Sequence, residues 1–289
     1  MVEIKKEISD YITYPRGFEN YTWYKPLIVL ILTIIFLFIF NGIMFIIGGI
    51  LLGEHFIHSL TGGYESLNTM DEGTLFSLIS IIFIVPSLFI ANKIVGYRPF
   101  SSYASSRAGG WDWKLYFKCF LISLVIYIVF TVISVSLNPN ANFNNQFTVW
   151  TFIIFLIAIP LQCIAEEFGF RGLIMQTFGG WTNVPVVAIV IQAIIFGLLH
   201  PYSFLGVISI VITGLAFGFL AWKSNGLETS SAIHSVNNLF SIMVAGFGLS
   251  HVSSTVNIID ALSDIGLTIV CVVLIYFIGK KYGWFGESS

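Results

Sequence analysis

Residues 157–175 read IAIPLQCIAEEFGFRGLIM, and in them Glu166, Glu167 and Arg171 interrupt a run of hydrocarbon side chains. An ionisable group at the middle of a membrane helix costs about 2.5–3.5 kcal/mol on insertion scales. A chain carries three such groups together when they pair, face a wet cavity, or do chemistry. How this stretch is read decides the fold, because it places charge either in a loop or inside a membrane-spanning helix.

The rest of the chain settles that choice. It is 56% hydrophobic and 10% charged, with a mean hydropathy of +0.89. A soluble domain carries about 25% charged residues. The composition therefore predicts an all-α polytopic membrane bundle. The polar segment 1–25 precedes one transmembrane domain, residues 26–289. A span needs about 20 mostly apolar residues. Eight are expected, near 27–52, 74–92, 119–137, 155–177, 184–200, 205–222, 230–249 and 265–279. The first run is longer than the 7–15 residues, roughly, of a signal-peptide core, so it reads as an uncleaved span.

Basic residues orient these spans. Lys5, Lys6, Arg16 and Lys25 precede the first span; Lys93, Arg98, Arg107, Lys114 and Lys118 lie between the second and third; Lys223, Lys280 and Lys281 follow the sixth and eighth. With eight spans, all of these fall on the cytoplasmic side, and so do both termini. Segments 53–73, 138–147, 201–204 and 250–264 hold no Lys or Arg. Scattered basic residues that flank spans exclude a nucleic-acid partner. Membrane lipid is the expected surroundings. Trp23 and Tyr24 are expected as interfacial anchors, after a short interfacial helix.

The fourth span is too long for a straight crossing. From Phe147 to Thr177 it would run ~45 Å at 1.5 Å per residue, against a ~30 Å hydrocarbon core. Pro160 is the expected break, and Gly179-Gly180 the expected stop. Glu166 then lies inside the membrane. Within the helix, Glu167 and Arg171 are four apart and share a face. Glu166 is turned about 140° from Arg171. Glu167 is thus the natural partner of Arg171, and a structural ion pair is its simplest role. Glu166 is left to face something else, and a carboxylate without its own cation suits general-base work.

Two further polar pairs stand at helical spacing: Phe196 with His200, and His234 with Asn238. Asn237 competes with Asn238, which the i,i+4 spacing favours. A Glu and a His can polarise water, while a second His and an Asn can donate to an oxyanion. Zinc is a rival use of Glu166, His200 and His234, since these are ordinary zinc ligands. His55, His58 and His251 fall outside this set. Cys119, Cys163 and Cys271 sit in apolar runs without CxxC spacing and read as buried thiols. Counted from the cytoplasmic ends of their spans, His200 stands ~24 Å up and His234 ~6 Å. They meet only if helices tilt or break, or if the seventh span begins nearer Asn225. Gly214 and Gly218 in the sixth span would allow close helix approach.

The segments AEEFGFRGLIM, AIIFGLLH and AIHSVNNL, in this order, resemble the CPBP family of intramembrane proteases. That family joins type II CAAX prenyl endopeptidases with bacterial Abi proteins linked to bacteriocin processing and self-immunity. Its EExxxR, FxxxH and HxxxN/D signatures are all present, within a core at residues 155–245. The resemblance implies an endopeptidase of a bacterial plasma membrane. In it Glu166 and His200 activate water, His234 and Asn238 hold the oxyanion, and Glu167, Arg171 and Phe196 support them. The implied substrate is a membrane-associated or amphipathic peptide. No cofactor is required on this scheme, or one divalent metal such as zinc on the alternative. Two other readings compete: a non-catalytic immunity or scaffold protein, and a proton-coupled transporter. The transporter would show paired repeats with broken helices in both halves, whereas the polar cluster is confined to the second half.

Overall fold

A computed structural model describes residues 10–61, 72–138, 142–250 and 253–286. These residues form an all-helical bundle. The helices are α1 (Lys25–Leu52), α2 (Glu54–Thr61), α3 (Glu72–Ile82), α4 (Ile84–Val95), α5 (Ser101–Ala104), α6 (Trp113–Leu137) and α7 (Val149–Glu167). A π-helical stretch, Phe168–Met175, continues α7 into α8 (Gln176–Thr182). There follow α9 (Pro185–Leu198), α10 (Phe204–Lys223), α11 (Glu228–Gly246) and α12 (Ile258–Lys281).

Local chemistry starts several of them. Asp112 accepts from the backbone N–H groups of Lys114 and Leu115 to open α6. Thr148 and Thr151 form a reciprocal box at the start of α7, which satisfies two otherwise orphaned donors. Asn257 caps α12. Pro26 and Pro185 stand in the first turns of α1 and α9, where a missing N–H costs nothing.

Among the described residues, six segments are long and apolar enough to cross a membrane: Lys25–Leu52, Glu72–Val95, Trp113–Leu137, Val149–Thr182, Phe204–Lys223 and Ile258–Lys281. The chain is an integral membrane protein. The other two expected spans are helices of a different kind. α9 has 14 residues, about 21 Å of helix. α11 has 19 residues, but it carries Glu228, His234, Asn237, Asn238 and several serines. It is the inner helix of the bundle, packed against α6, α7, α10 and α12. Its polarity reflects neighbours rather than lipid.

The loops sort into two groups, as the charge pattern predicts. At one end the Tyr11 hydroxyl donates to Tyr103 O (2.6 Å), the Trp222 indole to Asp10 (2.7 Å), and Arg107 bonds Ser224 O and pairs with Glu228. At the other end Asn144 N bonds Phe247 O, Gln146 N bonds Gly246 O, and Ser203 N bonds Ser254 O.

Three expectations need correction. Among the described residues, 10–24, the segment before α1 is no interfacial helix. It holds a short 3-10 turn, Tyr14–Gly17, and Tyr11, Ile12 and Phe18 are buried in the bundle, while Trp23 and Tyr24 remain exposed as anchors would. The helix does not break at Pro160 but runs through it. Nor does it stop at Gly179-Gly180. It ends at Thr182, and Asn183 takes a left-handed conformation (φ 57°). The two glycines serve packing instead, since a Cβ on Gly179 would lie 2.3 Å from Ile12 Cγ2 and one on Gly180 would lie 2.8 Å from the Tyr21 hydroxyl.

Candidate active site

α7 and the π-helical stretch carry the charged trio. Glu167 and Arg171 are fully buried and paired, Oε1 to NH1 at 2.9 Å. Arg171 also lies over the ring of Phe196, 4.4 Å from its centroid, so one face of the guanidinium is covered by an aromatic surface. Glu166 points elsewhere and lines a cavity of about 410 Å³. This is the separation that the helical spacing predicts. A π-helical turn widens the i→i+4 ladder, and such turns recur at functional sites; here it begins one residue after Glu167.

Glu166, Phe196, His200, His234 and Asn238 all line that cavity. The depth conflict between the two histidines is resolved by the end of α9 and by one aromatic ring. α9 stops at Leu198, and His200 folds back so that its Nδ1 lies 2.7 Å from Phe196 O. The Phe196 ring stands 4.7 Å from the His200 ring and 6.0 Å from the His234 ring, edge-on to both. On the other side, α11 begins at Glu228, after Asn225 has turned the chain with φ 58°.

The hydrogen bonds assign protons. A carbonyl only accepts, so Nδ1 of His200 is the donor to Phe196 O, and Nε2 is left as the basic nitrogen. His234 is placed between two carboxylates. Its Nδ1 is 3.0 Å from Glu167 Oε1 and its Nε2 is 3.3 Å from Glu166 Oε2. A neutral imidazole has one N–H. With Nδ1 donating to Glu167, Nε2 attracts Glu166 only through a further proton, held on the ring or on the carboxyl. Arg171, Glu167, His234 and Glu166 thus form one continuous chain of ionisable groups from the core to the cavity wall. The imidazole in contact with Glu166 is that of His234. No hydrogen bond or ion pair joins Glu166 to His200 among the described residues.

Gln162 is the participant that sequence reasoning passed over. It lies one turn before Glu166, lines the cavity, and accepts from Asn238 Nδ2 at 3.3 Å. The Asn238 side chain also bonds that of Cys163, and sulfur is a weak acceptor that a stronger one can displace. The signal was available, because Gln162 and Glu166 stand at the same i,i+4 spacing already used for Glu167 and Arg171. Cys163 does not line the cavity; its thiol packs against His234 O at 3.6 Å. Cys119, Cys163 and Cys271 are all buried free thiols. Side chains of His55 and His58, and His251 altogether, lie outside the described residues.

Among the described residues, no three His, Cys, Asp or Glu side chains stand close enough to hold a metal ion. Glu166 and His234 are engaged with each other, and His200 contacts neither. The zinc set Glu166, His200 and His234 is not assembled as a coordination site.

A carboxylate, two imidazoles and a carboxamide around one cavity of a membrane bundle are groups that hydrolytic chemistry can use. Residues 148–240 match the family model described as Type II CAAX prenyl endopeptidase Rce1-like, the resemblance that the three motifs carried. The chain is also 28% identical over 179 residues to "Uncharacterized protein YyaK" of Bacillus subtilis (strain 168), across 58% of this chain and 59% of that protein. The matched region thus spans about three-fifths of that relative's length. No solved structure matches the chain.

Proposed function

We propose that the protein is an intramembrane endopeptidase of a bacterial plasma membrane, cutting a peptide bond in a membrane-associated or amphipathic substrate. The observation that carries this reading is the placement of Glu166, His200, His234 and Asn238 on the wall of one cavity, while Glu167 is held back with Arg171. The family match over the same residues supports it. The cavity volume lies within the range of about 300–1,000 Å³ usual for ligand sites.

In this scheme a water between Glu166 and the scissile carbonyl loses its proton to the carboxylate, and the Nε2 of His200 assists as second acceptor. The water oxygen bonds to the carbonyl carbon. The carbonyl oxygen becomes an oxyanion, which takes an amide hydrogen of Asn238 and the Nε2–H of a protonated His234, released by Glu166 as that carboxylate takes up the water proton. The carbon–nitrogen bond then breaks, the proton moves to the leaving nitrogen, and a carboxylate and an amine depart. The chain supplies every proton carrier that this sequence needs. Activity is therefore expected to survive chelators.

The test compares the purified wild type with Glu166→Gln on a mixed pool of membrane peptides, read by mass spectrometry. Products from the wild type alone, unchanged by a chelator, are the expected result. Identical product patterns from both proteins would overturn the reading.

A further inference from the structure

A second cavity of about 720 Å³ adjoins the first, and Tyr202, Ile210, Asn237, Asn238 and Ser241 line both. Its far wall is α12, which presents Asp260 and Asp264 to it. These carboxylates are four apart and so stand on one helix face, a spacing at which like charges repel. Asp260 has a local explanation. It lies in the first turn of α12, where the helix dipole favours an anion, and it accepts from the capping Asn257 at 2.6 Å.

Asp264 has no such explanation. It lies a turn deeper in an apolar helix, bonded to two neutral groups, the Ser209 hydroxyl at 3.3 Å and the Asn237 amide, while His234 acts on it from beyond ion-pair distance. No Lys, Arg or His pairs with it among the described residues. Segments 138–147, 201–204 and 250–264 contain no Lys or Arg. A third group points the same way. Tyr127 is 4% exposed and lines the cavity; its hydroxyl neighbours that of Thr268 but makes no hydrogen bond of good geometry. Its ring is packed on Phe240, another lining residue, so the pocket pairs acceptor oxygens with aromatic faces, the combination that an ammonium or guanidinium prefers.

We infer that the second cavity is a subsite for a basic side chain of the substrate, Lys or Arg, with Asp264 as the specificity-determining carboxylate and Tyr127 as its companion. This rests on the endopeptidase reading above for its place in catalysis. Asn237 bonds Asp264 while Asn238 faces the catalytic cavity, so a peptide crossing α11 at these two residues sets its basic side chain at a fixed distance from the scissile bond.

The inference is tested by binding, which needs no turnover. Full-length Glu166→Gln protein in lipid nanodiscs is titrated with fluorescent amphipathic peptides that differ only by Lys or norleucine at successive positions. At one position Lys is expected to bind at least tenfold tighter. Adding Asp264→Asn abolishes that preference, and adding Tyr127→Phe reduces it severalfold, which keeps the test sound where the Asp264 variant fails to fold. Equal binding of Lys and norleucine peptides at every position would overturn the subsite, as would a preference untouched by both variants. Cleavage by the protein with Glu166 intact separates the two claims. Selective binding without cleavage would refute the endopeptidase and leave the subsite standing. Cleavage without selectivity would do the reverse.

Discussion

Glu167 and Arg171 show what a buried ion pair commits a chain to. Neither is exposed, and removing one partner from such a pair costs about 3–5 kcal/mol because the other charge is left uncompensated. Glu167→Gln is therefore expected to lower thermal stability and membrane yield well below those of Glu166→Gln, whose site fronts a cavity. Equal stability of the two variants would contradict the division of labour. Asn238→Ala should cost about 10²–10³ in kcat, the range for a lost oxyanion donor. Gln162→Ala should cost about 10–100-fold, as outer groups that orient a reactive ligand do, with little change in stability. Both are read from initial rates on a cleaved peptide. The split between Glu166 and Glu167 was legible in sequence because i,i+4 spacing fixes a helix face without any tertiary information. The contact of His234 with both carboxylates was not, because it depends on how α11 is set against α7.

At the scale of elements, the site depends on a helix that does not end where its glycines stand. Gly179 and Gly180 lie inside α8 because Ile12 and Tyr21 occupy the space where side chains would go. Sequence reading treats a glycine pair as a stop; only the fold of residues 10–23 over α8 gives them this other use. Gly179→Val should displace that segment and lower stability by about 1–3 kcal/mol, the range for overpacking. Limited proteolysis would register it as faster cleavage between residues 10 and 23. Gly42→Ala, with nothing within 4 Å of its new Cβ, serves as the contrast and should leave both readouts unchanged. Likewise, the 14-residue α9 and the polar α11 were expected as ordinary spans. Their departure from that pattern follows from function of position: one ends early to deliver His200, and the other exchanges apolar residues for cavity-facing ones.

For the whole molecule, the charge distribution grouped loops that the fold brings together. Loops expected on one side, at residues 10–23, 96–112 and 223–228, interlock through Tyr11, Trp222 and Arg107, and those expected on the other side meet through Asn144 and Ser203. The positive-inside rule predicts that the first group faces the cytoplasm. Cysteine labelling can check this, since the native thiols are buried. Lys114→Cys and Lys281→Cys should react with an impermeant maleimide only after cells are opened, and Phe143→Cys should react in intact cells. The reverse pattern would invert the orientation.

The central claim is that Glu166 activates water against a peptide carbonyl, and solvent isotope reports on that step directly. Wild-type protein incubated with a cleaved peptide in ¹⁸O-water should give fragments with one solvent oxygen in each new carboxylate. Glu166→Gln, folded and at equal concentration, should give none. Labelled fragments formed at the same rate by both proteins would contradict the account.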